Sequence, residues 1–238
     1  MRLFCLSLLL ASSVMLHAQT LTKSKFYTTS SWEMMLSGAT IDNNGKDGGD
    51  VVRFSGIING QNWLHYNASK NVGLYIGTSV HNVGFIYDIP DSSAKKKFRT
   101  YNIGLPVGIK IGNMEDDNYL FAGYELELPV NYKEKTFVDE RKTDKFSVWF
   151  SGRVPLFYHS LMIGYHFPQG IGIKFKYYLN GFFNQDYEGT DSYGNHYKPY
   201  KGLEAHVFSF SLTVDLFKNM RFYYSPAKET DMKQTRLD

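Results

Sequence analysis

The chain has 238 residues, and its 26 Lys and Arg against 23 Asp and Glu give a formal charge of +3, too mild a balance for a nucleic-acid partner. A single cysteine, Cys5, excludes a disulfide framework, and an all-β chain of this length is expected to form one domain. Aromatic residues make up 16% of the sequence, with 18 Tyr and 18 Phe against 3 Trp, which suits strands and membrane-interface belts alike.

In chain order, the first element is MRLFCLSLLLASSVMLHAQT. Arg2 supplies a positive start, an apolar run extends from Leu3 to about Leu16, and the small residue Ala18 precedes Gln19. That order predicts a secretory signal peptide over 1–18, cleaved after Ala18. A retained anchor needs a longer apolar run, and a lipoprotein needs its cysteine at the cleavage point, where Cys5 is too early. No later stretch approaches 18 continuous apolar residues, so no transmembrane helix is expected. The mature chain is therefore expected to be exported, and to stay soluble or to span a membrane as strands.

Alternation of apolar and other residues then recurs down the chain, over about 26–41, 51–66, 71–87, 98–111, 118–132, 146–167, 171–185 and 203–217. Successive strand side chains point to opposite faces, and no segment holds a 3.6-residue period long enough to compete. IGIKFKYYLNGFF, from Ile171 to Phe183, is a clear case: Ile171, Ile173, Phe175, Tyr177 and Leu179 share one face, while Lys174, Lys176 and Asn180 share the other. Pro155 within the sixth segment predicts a bulge or bend, since proline cannot donate to a ladder.

The connections are DNNGKDGGD (42–50), NASK (67–70), DIPDSSAKKK (88–97), GNMEDD (112–117), KEKTFVDERKTDK (133–145), PQG (168–170) and DYEGTDSYGNHYKPYKG (186–202). Long and short alternate throughout. In an up-and-down meander, alternate connections lie at the same end, so one end carries tight turns and the other every long loop. Outer-membrane barrels have this asymmetry, with short periplasmic turns and longer extracellular loops. The predicted fold is all-β: an eight-stranded antiparallel up-and-down transmembrane β-barrel.

The faces that are not apolar carry Glu33, Arg53, Gln61, His65, Lys110, Glu125, Glu127, Arg153, Lys174, Lys176 and Asp215. An eight-stranded interior is just wide enough to be filled by side chains. Charges of both signs can pair there, and Gly73, Gly77, Gly104, Gly108 and Gly123 leave room for long side chains. A charge network in the lumen is thus expected from Glu33, Arg53, Lys110, Glu125, Glu127, Arg153, Lys174, Lys176 and Asp215. Lys174 and Lys176 are expected to meet Glu125 and Glu127. The alternative is a secreted, soluble, lipocalin-like carrier, in which the same faces are turned inside out around an apolar cavity.

RTYNIGLPVGIKIGN (99–113), followed by YLFAGYELELPVNYKEK and GIGIKFKYYLNGF, resembles the PorT-like outer-membrane β-barrel family over roughly Thr28 to Phe217. The strongest local element is the Tyr-x-x-x-Leu-Pro strand from Tyr101 to Pro106. The resemblance implies an integral outer-membrane protein of a Gram-negative bacterium. Some family members serve protein secretion and gliding machinery, but the matching residues are structural and transfer no such role. One departure is the run of about twenty residues past Phe217, where many such barrels stop at a terminal aromatic. The organisation expected is a cleaved peptide over 1–18, a barrel over 19–217 and a periplasmic tail over 218–238.

No catalytic, cofactor or metal site is expected. A lipid-modifying enzyme needs a nucleophile and base within reach of each other, and the adjacent His159 and Ser160 would point to opposite faces. Glu125 and Glu127 have the spacing of paired carboxylates, though lumen salt bridges account for them. His65, His81 and His206 lie on different strands without zinc-ligand spacing. DNNGKDGGD is rich in oxygen ligands but places Lys46 where a calcium loop wants an acid or amide. Lys95, Lys96 and Lys97 form the only basic triplet, on a loop placed outside, where lipopolysaccharide phosphates are in reach. The partners expected are outer-membrane lipid and lipopolysaccharide, and an envelope or surface protein; a monomer is expected, and no nucleic acid.

Overall fold

A computed structural model describes residues 25–47, 49–89, 92–190 and 193–219. The expected signal peptide and the segment 220–238 lie outside the described residues. Eight strands form the frame: β1 Phe26–Asn43, β2 Gly60–Asn67, β3 Val72–Asp88, β4 Ala94–Asn113, β5 Asn118–Val138, β6 Tyr158–His166, β7 Ile171–Tyr178 and β8 Leu203–Asn219. Each pairs antiparallel with its sequence neighbour, and β8 closes onto β1 from Thr28↔Asn219 to Asn43↔Leu203. The result is an eight-stranded up-and-down antiparallel barrel. Among the described residues, none of the eight frame strands is left with an open edge in the ring, which removes the pairing hazard of an exposed edge there.

The short turns 68–71, 114–117 and 167–170 share one end of the barrel, and the longer connections share the other. At the long-loop end β1 turns back through Asn44 and Gly45, both at positive φ (53° and 81°), into the short strand Lys46–Asp47. An Asn-Gly pair suits such a turn because both residues reach the left-handed region at little cost.

The seventh strand, expected over 171–185, ends at Tyr178, and at the long-loop end strand continues through 94–97, 133–138 and 141–145, where loops were expected. Two further segments, the second and the sixth, are divided. The second was expected over 51–66, and is instead divided. Gly49–Val51 pairs with β3, Arg53–Ser55 pairs with β1, and β2 begins only at Gly60. Asn59 holds the interruption: its amide nitrogen donates to the Ser55 carbonyl at 2.9 Å, its side-chain oxygen accepts from the Asn82 N–H at 2.8 Å, and its carbonyl accepts from the Glu33 N–H at 3.1 Å. One side chain and one carbonyl thus restore hydrogen bonds that the broken ladder forgoes.

The sixth segment, expected over 146–167, is also two strands. Arg141–Trp149 folds back on β5 as a hairpin above the ring, ending at Asn131↔Trp149. The chain leaves β5 at 150–157, where Pro155 sits, and resumes as β6 from Tyr158↔Glu127. The bend expected at Pro155 is therefore a complete break between two strands.

Face by face, the barrel is the inverse of a water-soluble protein. Ile103, Leu105, Val107, Ile109 and Ile111 of β4 are exposed, as are Leu161 and Ile163 of β6 and Ile171 and Ile173 of β7. Phe210 and Leu212 of β8, with Leu74, Ile76 and Val80 of β3, continue the belt around the outside. Charged residues are found on the inner face instead: Glu33, Lys110, Glu127 and Lys176 are all 0% exposed.

Candidate functional site

The interior is stacked in three layers. At the long-loop end, Phe85, Phe98, Phe182 and Phe183 form a cluster with Tyr132, Tyr158, Tyr178 and Tyr200. Phe182 and Phe183 follow β7 and fold over the mouth, with Phe183 stacked on Tyr200 (centroids 4.5 Å apart) and edge-on to Phe98 at 4.9 Å. The Tyr158 hydroxyl donates to the Phe182 carbonyl at 2.7 Å and ties the plug to β6. Toward the short turns a second cluster of Trp63, Tyr75, Met114, Tyr119, Phe121 and Met162 fills the lumen.

Between them lies the charge layer. Lys176 of β7 donates to Glu125, to Glu127 Oε1 at 2.8 Å, and approaches His81 Nδ1 at 3.4 Å. Lys174 bonds Glu33 of β1 and donates to Gln61 Oε1 at 3.1 Å. Glu127 also accepts from the Tyr178 hydroxyl at 2.9 Å and from Asn102 Nδ2 at 2.6 Å. Glu125 accepts from the Ser79 hydroxyl. His81 stands 3.6 Å from Glu33, Glu125 and Glu127 alike. Buried charge is tolerated only when paired and hydrogen-bonded, and here each carboxylate meets an ammonium directly.

Two glycines make room for this layer and for the aromatic cluster beside it. A Cβ on Gly104 would strike the Glu125 carboxylate and the Ser79 hydroxyl, and one on Gly123 would strike the Tyr75 hydroxyl. Neither has an unusual φ; the requirement is space alone.

Of the nine residues expected to form one network, the fold brings together Glu33, Glu125, Glu127, Lys174 and Lys176. The expected pairing needs correction for Lys174, which reaches Glu33 rather than Glu125 or Glu127. Lys110 lies nearer the short turns, donating to Tyr27 Oη and Asn67 Oδ1 at 2.9 Å each, with its ammonium over the Tyr27 and Tyr119 rings. Asp215 sits near that end too, accepting from Ser31 at 2.7 Å and facing His166 Nε2 at 3.0 Å. Arg53 lies apart, donating to the Asn82 carbonyl at 3.0 Å. Arg153 is not on a strand: it lies in the break at 150–157, with its guanidinium 4.6 Å from the Phe146 and Tyr187 ring centroids. Pro155 stops the ladder there, so strand parity no longer governs where Arg153 points.

His81, Asn102, Ser79 and Tyr178 belong to the layer and were not expected in it. For His81 the signal was available, since it shares strand parity with Gly73 and Gly77. His81, Glu125 and Glu127 place ligand atoms within 4.8 Å of one another, close enough for all three to reach one ion. Lys176 Nζ already stands among those atoms, so a cation there would displace an ammonium and leave it buried without its partners.

The other candidates separate. His159 faces outward, 2.5 Å from the Tyr124 hydroxyl, while Ser160 is buried on the opposite face. Lys96 turns inward to Glu134 at 2.9 Å, whereas Lys95 and Lys97 sit on the other face of β4. The candidate calcium loop lies partly outside the described residues.

No family model matches the chain, and no curated protein matches it in sequence. Among solved structures, it aligns with Ail, the attachment invasion locus protein of Yersinia pestis, in complex with the heparin analogue sucrose octasulfate, at 10% identity and a TM-score of 0.37, over 80% of this chain and 97% of that one. Another Ail structure aligns at 10% identity and a TM-score of 0.33, over 79% and 97%. The likeness is weak at these values and adds nothing to the eight-stranded ring, which stands on the strand pairings.

Proposed function

We propose that the protein is an integral outer-membrane β-barrel of the PorT-like kind, exported through the peptide 1–18. Its closed, charge-filled lumen serves as a scaffold, while its long loops meet ligands or partners at the cell surface. The single observation that carries this reading is the burial pattern: aliphatic side chains face out around the ring while Lys174, Lys176, Glu33, Glu125 and Glu127 are buried inside. Water as the outer solvent gives no reason for that arrangement, and lipid does, since a closed barrel also satisfies its backbone groups internally. The end with tight turns is then periplasmic and the end with long loops extracellular.

The role is non-enzymatic on this reading. Glu125 and Glu127 are closed in ion pairs, and His159 and Ser160 point to opposite sides of the wall. A soluble carrier would need an apolar cavity within the ring, where the charge layer lies instead. Cell fractionation tests the proposal. The protein is expected in the outer-membrane fraction, with gel migration that changes on heating. Recovery from the soluble periplasm would overturn it.

A further inference from the structure

Above the apolar belt, β4, β5 and the hairpin strand Arg141–Trp149 continue as a three-stranded sheet. Lys97 pairs with Lys135, and Lys135 pairs with Lys145, so one rung carries three lysines side by side. Arg99 pairs with Lys133 on the rung two residues nearer the belt. The outward direction of these five residues follows from their alternates: Phe98, Thr100 and Tyr132 are buried inside the barrel mouth. Tyr101 lies beneath them on the outer face, with Arg99 5.5 Å and Lys133 5.8 Å from its ring centroid.

Like charges directly opposite on neighbouring strands destabilise a sheet. No carboxylate lies within salt-bridge distance of any of the five among the described residues; Glu134 turns inward to Lys96, and Asp144, next to Lys145 on the opposite parity, accepts from the Lys145 backbone N–H at 2.7 Å. Arg99 Nε is buried without a hydrogen-bond partner.

The height of the rungs names the missing partner. From Ile111 to Tyr101 the exposed face of β4 covers about 26 Å at a usual barrel tilt, close to the thickness of a lipid-facing band. Both rungs fall within roughly 5–10 Å beyond Tyr101, the depth of the headgroup layer. Since this rests on the membrane reading above, we propose that Lys97, Arg99, Lys133, Lys135 and Lys145 form a binding site on the outer wall for the phosphate groups of an outer-leaflet glycolipid.

The test uses the full chain folded into phosphatidylcholine vesicles containing either bisphosphorylated lipid A or its dephosphorylated form. After extraction into mild detergent, the folded protein is repurified and its retained glycolipid is measured by mass spectrometry. We expect retention of the phosphorylated form alone, undisturbed by millimolar inorganic phosphate, and a loss of at least about tenfold in the triple variant Lys97→Gln, Lys135→Gln, Lys145→Gln. Lys70→Gln, at a short turn and paired with Glu115, should retain as much as wild type. Heat-dependent gel migration confirms that each variant is folded.

Equal retention of both lipids, or by wild type and triple variant, would overturn the site and leave the barrel reading intact. So would displacement by inorganic phosphate, or wild-type capture by a sulfated polysaccharide that lipid A fails to compete. Failure of the wild type to float with the vesicles would instead refute the membrane reading itself.

Discussion

His81 on β3 and Lys176 on β7 approach to 3.4 Å across the full diameter of the barrel. Three strands separate them in either direction around the ring, so they stand on opposite walls. Side chains from opposite walls therefore meet at that level. Aromatic clusters cover it on both sides. In planar bilayers the protein is expected to show no steady conductance, and removing the upper plug alone, by Phe182→Ala with Phe183→Ala, should not open one. A stable wild-type conductance step would contradict the closed-lumen account.

The pairing of Lys176 with two carboxylates makes its loss costly. Lys176→Met leaves Glu125 and Glu127 buried without their ammonium, and removing one partner of a buried pair costs about 3–5 kcal/mol. Reversible urea unfolding from vesicles should register that loss. Lys174→Met combined with Glu33→Leu should cost less than Lys174→Met alone, because it removes both members of one pair. Additive effects of the two substitutions would show that Lys174 and Glu33 do not interact.

The plug has its own signature. Phe85 is 0% exposed and edge-on to Phe182 at 5.2 Å, so Phe85→Ala opens a cavity worth about 3–5 kcal/mol of stability. Backbone hydrogen exchange at 182–187 should accelerate in that variant, while exchange at β4 positions around Lys110, near the opposite end, stays slow. Uniform acceleration along the chain would mean that the plug is not a separate layer.

On the outer wall, Ile173 is 52% exposed, between the inward-facing Gly172 and Lys174. In a water-soluble protein Ile173→Lys would be close to neutral. Near a bilayer midplane it should cost about 2–4 kcal/mol, measured by unfolding from vesicles. A cost below about half a kcal/mol would place position 173 in water.

Strand parity made most of the interior legible in the sequence, because a period of two assigns each side chain to a wall once the apolar face is known. It placed Glu125, Glu127, Lys174 and Lys176 on one side, and it would have placed His81 there beside Gly77. Parity does not say who meets whom across the lumen. That depends on strand tilt and on the closure of β8 against β1, which brought Lys174 to Glu33. Parity also fails where the ladder stops. Arg153 fell in the break around Pro155, and the interruption at Asn59 depends on contacts with β1 and β3 that no local pattern reveals.

The central claim is that lipid, and not water, surrounds the apolar face. It is tested most directly by nitroxide labels placed one at a time at positions 103, 105, 106, 107 and 109 of β4, in a chain carrying Cys5→Ser so that no other cysteine reacts. After folding into vesicles, collision rates with oxygen, which concentrates in lipid, are compared with those of a water-soluble nickel chelate. Labels replacing Ile103, Leu105, Val107 and Ile109 should collide freely with oxygen and hardly with nickel. A label at Pro106, whose position faces the packed interior, should meet neither. Nickel access at 103, 105, 107 and 109 equal to that of an exposed loop site would contradict the account.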